Sequence, residues 1–255
     1  MSENLNSTVS ENPIGNIDVK SISSKYEDGS AKNVIKWAID QFGSSLVIAT
    51  SFQAEGMVII DIAHKINPDI QILTIDTGRL PQETYDLIDK TRDHYSVPIK
   101  IIHPDPTELA NMVYKHGINA FYQSVSLRLM CCQIRKVDTM NSALKDYSAW
   151  ISGLRRSQEA TRSKTEKIEI DKSHGNMIKI NPLVDWTTEE TWEYIKSNNI
   201  PYNTLYDKNY TSIGCAPCTR PTKHDEEPRA GRWWWEKGMP KECGIHLGPA
   251  WGRTN

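Results

Sequence analysis

The sequence predicts an α/β fold built on a doubly wound parallel sheet, and two observations carry that prediction. Short apolar runs alternate with segments of helical periodicity, and the apolar runs end in polar loops. Successive strand-helix units of this kind join as right-handed crossovers to parallel strands.

The elements follow in chain order. Ala31 to Phe42 places Val34, Ile35, Ala38 and Ile39 at helical spacing, and Gly43 supplies a left-handed stop. Ser45-Leu-Val-Ile-Ala-Thr50 reads as a buried strand. Met57 to Ile66 reads as a helix, broken before Pro68, and Ile70-Gln-Ile-Leu-Thr-Ile75 as the second strand. Pro81 suits the first position of a helix through His94. Pro98-Ile-Lys-Ile-Ile102 then forms a third strand and Thr107 to His116 a further helix. A helix from Leu127 to Leu144 precedes a short strand at Ala149-Trp-Ile-Ser152. Thr187 to Asn198 has an N-cap, an acidic first turn, and Trp192 and Ile195 to bury, so it is the last helix.

Three tracts lack such patterns. Residues 1–25 are rich in Ser, Asn and Glu and read as a flexible arm. Ser157 to Ile170 is polar and charged, as in a mobile surface loop. From Pro201 onward the chain reads as largely irregular. The expected organisation is therefore a single α/β domain over 26–235 and a mobile C-terminal tail over 236–255.

Composition narrows the function. Hydrophobic residues make up 38% and charged residues 24%, outside the disordered range. A formal net charge of -2 gives no field for a long nucleic acid. No apolar run is long enough to span a membrane, and the N-terminus lacks a secretory pattern, so a cytoplasmic location without a membrane partner is expected. Five cysteines, an odd number without such a signal, point to metal or redox chemistry.

Cys131-Cys132 and Cys215-Ala-Pro-Cys218 are two close pairs that can complete one four-thiolate set. Neighbouring Cα atoms lie ~3.8 Å apart, shorter than usual disulfide geometry. Zinc usually takes pairs with intervening residues, whereas a cubane cluster offers separate iron corners to adjacent side chains, so the chemistry favours the cluster. Cys243, in Lys241-Glu-Cys-Gly-Ile-His246, is either an ordinary free thiol or a thiolate nucleophile, the latter suited by its basic neighbours and the open Gly244. Lys136, Arg155, Arg156, Arg162 and Arg229-Ala-Gly-Arg232 sit at strand ends or beside cysteine motifs, as in an anion site. Trp233-Trp-Trp235 reads as packing for the irregular region.

Together these features resemble the assimilatory adenylyl-sulfate reductases, within the wider phosphoadenylyl-sulfate reductases. The matching stretches are Thr50-Ser-Phe-Gln-Ala-Glu55, Asp76-Thr-Gly-Arg79, Cys131-Cys-Gln-Ile-Arg-Lys136, Gly153-Leu-Arg-Arg156, Asn181-Pro-Leu183, Ser212-Ile-Gly-Cys-Ala-Pro-Cys218, Arg229-Ala-Gly-Arg-Trp-Trp-Trp235 and Glu242-Cys-Gly-Ile-His246. The resemblance implies an adenine nucleotide alpha hydrolase-like, ATP-pyrophosphatase-like fold. It implies a four-iron, four-sulfur (4Fe-4S) cluster on Cys131, Cys132, Cys215 and Cys218, with Cys243 as nucleophile. It also implies substrate contacts from Ser51 and Phe52, from Asp76, Thr77, Gly78 and Arg79, and from Lys136, Gly153, Arg162, Arg229, Arg232 and His246. The activity implied is reduction of adenosine 5′-phosphosulfate to sulfite and AMP through an S-sulfonated cysteine, in sulfate assimilation and cysteine biosynthesis.

The reductant would be thioredoxin or a similar separate dithiol protein, since no thioredoxin-like domain is fused. The sequence leaves self-association open. Preference for the 3′-phosphorylated substrate, or use of both, is the nearest alternative. A tRNA-thiolating enzyme of the same fold would carry a Ser-Gly-Gly-x-Asp-Ser loop, where this chain has Ser51-Phe-Gln-Ala-Glu-Gly56. A zinc-stabilised nucleic-acid-binding module is the non-enzymatic alternative, separable by metal analysis.

Overall fold

Runs such as Leu46-Val-Ile-Ala49 are apolar on both faces, which suits strands covered on both sides by helices. The computed structural model describes residues 17–236, Lys241 and Ile245. Six strands form one sheet: β1 (Leu46–Ala49), β2 (Ile72–Ile75), β3 (Ile99–Ile102), β4 (Ala149–Ile151), β5 (Ile168–Asp171) and β6 (Met177–Ile180). Their order is β3-β2-β1-β4-β6-β5. All neighbours are parallel except the β5-β6 hairpin.

Eight α-helices accompany the sheet among the described residues: α1 (Val19–Tyr26), α2 (Ala31–Phe42), α3 (Ala54–Ile66), α4 (Gln82–Tyr95), α5 (Pro106–His116), α6 (Val125–Cys132), α7 (Asp138–Ala143) and α8 (Thr188–Ser197). Local chemistry sets their ends. The Ser30 side chain accepts from Asn33 N, Asp105 accepts from Thr107 N and Glu108 N, and Thr187 with Glu190 forms a capping box. Gly43 ends α2 at φ 51°. Alternation along the strands divides the core. Ile48 and Ile151 face Val34, Ile35 and the α3 residues Met57 to Ile60, while Val47, Leu73 and Trp150 face Met140, Ala143 and Leu144. None of the described helices is long and apolar enough to cross a membrane.

The sheet reverses its winding between β1 and β4, since β2 and β3 lie on one side of β1 and β4 on the other. Ligands of such sheets bind at this switch point, beyond the carboxyl ends of the strands.

The structure corrects several expectations. Helix α1 falls inside the stretch read as an arm, because Val19 is buried and Ser23 bonds Glu166 at 3.1 Å; residues 1–16 lie outside the described residues. Helix α3 starts at Ala54, before the apolar periodicity begins. The helix expected from Leu127 to Leu144 starts at Val125 and is interrupted by a π-helical turn over Gln133–Val137. The tract from Ser157 contains strand β5 and buries Arg162 and Lys167, the latter bonded to Gly29 O at 2.6 Å and to Asp185 at 2.8 Å. Glu236 is buried too, so the packed body extends past residue 235.

Asp171 ties the β5-β6 hairpin to the sheet. Its Oδ2 accepts from Trp150 Nε1 at 3.0 Å and lies 2.7 Å from His174 Nδ1. Burial opposes the carboxylate, but His174, Lys179 and the Ser173 N–H outweigh it and hold its pKa below the ordinary value. Its stabilising effect is thus complete above the unfolded pKa of about 4 and lost as pH falls through the lower folded value. Asp171→Asn should lower stability by about 1 to 3 kcal/mol at neutral pH. In urea melts the gap to wild type should narrow on acidification below about pH 4.

Candidate active site

A tight turn follows β1. Thr50 Oγ1 accepts from Phe52 N at 3.0 Å, and Phe52 takes φ 57° with its ring wholly buried. The chain turns directly into α3. At Gly56 an added Cβ would stand 2.2 Å from Thr50 Oγ1, and at Gly153 it would meet Glu55 Cβ at 3.0 Å. Glycine at these positions lets the first turn of α3 lie close against the ends of β1 and β4. A helix N-terminus presents unpaired N–H groups and a partial positive charge, both favourable to an anion.

The first turn of α3 borders a cavity of about 330 Å³ beyond the strand ends. Of the sequence-derived substrate residues, Ser51, Thr77, Lys136, Gly153, Arg162, Arg229 and Arg232 line it. The size falls within the range of small-molecule sites.

The cations around this cavity are held in different ways. Arg155 donates to Glu55 at 2.8 Å and to Ser157, Thr188 and the Trp186 carbonyl at 2.9 to 3.2 Å, so its charge is balanced within the wall. Gln158 bonds the same Glu55 oxygen at 2.9 Å and accepts from Arg162. Arg232 reaches Ser212 Oγ and the Ile213 carbonyl at 3.4 Å and stacks 4.6 Å from the Trp233 ring centroid, while its buried Nε has no hydrogen-bond partner. A Cβ at Gly214 would come within 2.3 Å of this guanidinium. Arg229 donates to Ser212 at 3.3 Å and to the Lys241 carbonyl at 2.8 Å.

Four sequence-derived substrate residues lie elsewhere. Phe52 is core. Asp76 braces its own turn, accepting from Gly78 N and Tyr85 Oη at 2.7 Å each, with Gly78 at φ 67°. Arg79 bonds the Ile118 carbonyl at 2.5 Å and Asn119 at 3.1 Å, and borders a second, smaller cavity. Cys243 and His246 lie outside the described residues.

Cys131, Cys132, Cys215 and Cys218 all line that second cavity, and none of the four is in a disulfide. Lys136 and Cys215 border both cavities and form a common wall. Thr77 Oγ1 lies 3.3 Å from Cys215 Sγ. Burial opposes the Cys215 thiolate, yet Lys136, Thr77, Arg232 and Arg135 outweigh it and lower its pKa. Burial, reinforced by Cys215, pushes Cys218 up to about 12.

Among the described residues no group of three or more His, Cys, Asp or Glu is placed to hold a single metal ion. The donor set nevertheless suits a larger iron-sulfur group. Four soft sulfur donors share one cavity, and the buried Arg135 Nε and Trp233 Nε1 at its wall lack hydrogen-bond partners. Cluster sulfides would give such donors acceptors.

Sequence reasoning missed the Glu55–Arg155–Gln158 relay. Glu55 lies 100 and 103 positions from Arg155 and Gln158, and it joins them only at the strand ends. The tryptophan run packs in part: Trp233 is buried and Trp235 meets Tyr122 edge-on at 4.5 Å, whereas Trp234 is exposed.

Comparison with known proteins gives concordant results. The family profile described as "Phosphoadenosine phosphosulfate reductase domain" matches residues 45–221. The chain is 46% identical over 202 residues to an adenosine 5′-phosphosulfate reductase of Allochromatium vinosum, covering 79% of this chain and 78% of that protein. It is 40% identical over 233 residues to one of Halalkalibacterium halodurans, covering 90% and 97%. Its structure is similar to the phosphoadenylyl-sulfate reductase of Candida auris in a phosphate complex, with a TM-score of 0.69 and 30% identity over 79% of this chain and 96% of that one. An FMN adenylyltransferase of Candida glabrata shares the fold at a TM-score of 0.55, with 15% identity over 81% and 74%.

The Glu55–Arg155 pair makes a direct test of the wall. Glu55→Ala leaves a buried guanidinium uncompensated and should destabilise by about 3 to 5 kcal/mol in denaturant melts. Replacing both residues by methionine should recover a substantial part of that loss.

Proposed function

The chain belongs to the phosphoadenosine phosphosulfate reductase family, and from that premise we propose that it reduces adenosine 5′-phosphosulfate to sulfite and AMP, with Cys243 as nucleophile. The observation that carries this reading is the common wall. A cavity bordered by Lys136, Arg162, Arg229 and Arg232 adjoins the four-thiol cavity through Lys136 and Cys215. Ile245, two positions after Cys243, also lines the larger cavity. The names of the curated relatives support the unphosphorylated nucleotide as substrate.

The chemistry is covalent catalysis followed by thiol exchange. The Cys243 thiolate attacks the sulfate sulfur, the bond from that sulfur to the bridging phosphate oxygen breaks, and AMP leaves with the electron pair. Cys243 then carries a sulfonate on Sγ. A thiolate of a thioredoxin-type dithiol protein attacks Cys243 Sγ, and sulfite departs with the electron pair of the sulfur-sulfur bond. The second thiol of the donor resolves the mixed disulfide, returning Cys243 as thiolate and leaving the donor oxidised by two electrons. Such a supply of reduced dithiol belongs to the cytoplasm.

The chain's cations serve both ends of the transferred group. Lys136 and Arg232 on the cysteine side offset charge on the sulfonate, while Arg162 and the first turn of α3 suit the phosphate. His246 is assigned to the sulfonate by its place in the Cys243 segment. Cys131, Cys132, Cys215 and Cys218 would hold a 4Fe-4S cluster, which supplies charge and rigidity beside the site. Lys136, between cluster and substrate, would couple the two electrostatically.

The test is sulfite release by anaerobically purified protein supplied with thioredoxin and its reductase. Adenosine 5′-phosphosulfate should be strongly preferred over its 3′-phosphorylated form, and Cys243→Ser should release no sulfite. Preference for the phosphorylated form would overturn the substrate assignment, and undiminished sulfite from Cys243→Ser would overturn the nucleophile.

A further inference from the structure

A single side chain joins the buried ion pair of the cavity wall to a cation of the anion site. Gln158 ends a short 3-10 turn over Arg156–Gln158, and its Oε1 accepts from Arg155 N at 3.1 Å. The same Oε1 accepts from Arg162 Nη1, while Nε2 donates to Glu55 Oε1 at 2.9 Å. That Glu55 oxygen also accepts from Arg155 Nε at 2.8 Å. Arg162 ends the next 3-10 turn, Ala160–Arg162, and its backbone is fixed on both sides. Its N–H donates to the Glu159 carbonyl and its carbonyl accepts from Thr165 N, each at 2.9 Å. Arg162 is buried, and both it and Gln158 line the larger cavity.

We infer that Gln158 is a positioning residue that fixes the Arg162 guanidinium for the phosphate of the bound nucleotide. The inference rests on Arg162 meeting that phosphate, as proposed above. Two properties of the amide carry it. Gln158 must donate to a carboxylate and accept from two N–H groups, and an uncharged amide does both at once. A glutamate in its place would set two carboxylates against each other and neutralise the cation it holds. The amide instead holds the guanidinium without cancelling its charge. The anchor behind it is firm, because Arg155 is tied to Glu55, Ser157, Thr188 and the Trp186 carbonyl. An arginine has many rotamers, so ordering it before the ligand arrives lowers the cost of binding. Loss of Gln158 should therefore appear as weaker binding of a phosphorylated nucleotide, and only while Arg162 is present.

Calorimetric titration of the full-length, anaerobically purified protein with AMP tests this. Gln158→Met, which keeps the length of the side chain and removes its polar atoms, should weaken AMP roughly 5- to 10-fold. Arg162→Met should weaken it further. Adding Gln158→Met to Arg162→Met should then cost less than about 2-fold more, since one residue acts through the other. Gln158→Asn, which keeps the amide but shortens its reach, should also weaken AMP and provides the reading if Gln158→Met does not fold. Wild-type affinity in the Gln158 variants would overturn the inference, as would losses that multiply in the double variant. Wild-type protein that does not bind AMP, or an Arg162→Met variant that binds it normally, would instead overturn the phosphate assignment and the inference with it.

Discussion

Burying guanidinium groups is costly unless each is matched, and this constraint shapes the whole site. Arg128, Arg135, Arg155, Arg162 and Arg232 are all buried. Arg128 and Arg155 are matched by carboxylates, Glu236 and Glu55, each pair at 2.9 Å or less. Arg135 and Arg232 make their hydrogen bonds to carbonyls and a hydroxyl, and each keeps an Nε without a hydrogen-bond partner. The fold therefore holds excess positive charge around the cysteine cavity and the larger cavity beside it. An anionic thiolate cluster on one side and an anionic substrate on the other would complete that balance.

The local backbone makes the arrangement possible. Along one helical stretch Arg135 and Lys136 both act on Cys131, and with Cys132 they line the cysteine cavity. The π-helical turn falls within this stretch, as such turns often do at functional sites. Opposite it, Cys215 and Cys218 come from a region held by turns rather than by regular elements. The Cys218 N–H donates to the Cys215 carbonyl at 2.9 Å, and Tyr122 Oη grips the Pro217 carbonyl at 2.7 Å. Ala216 N in turn donates to the Arg79 carbonyl at 2.8 Å, so the turn after β2 braces the second cysteine pair.

Legibility in the sequence followed locality. Strands β1 to β4 announce themselves because each is a short run of β-branched and apolar residues bounded by polar loops. Strands β5 and β6 do not, since Ile168-Glu-Ile-Asp171 lies in a polar, charged tract and the two strands are recognisable mainly as partners, their charges matched across the hairpin after folding. Lys179 pairs with Glu169 at 3.1 Å across the hairpin and lies 5.5 Å from the Trp150 ring centroid. That the two cysteine pairs would meet, as they do around one cavity, could be read from thiol chemistry, which restricts what such spacing can do. Arg79 could not be told from Arg162 by sequence, because which cavity each faces depends on how its loop turns.

Covalent catalysis by Cys243 is decided by the mass of the Cys243 peptide after protein is mixed with adenosine 5′-phosphosulfate in the absence of any dithiol. It predicts a single added sulfonate on that peptide, one equivalent of AMP released, and removal of the adduct as sulfite when thioredoxin is supplied. An unmodified Cys243 in protein that still turns the nucleotide over to sulfite would contradict it.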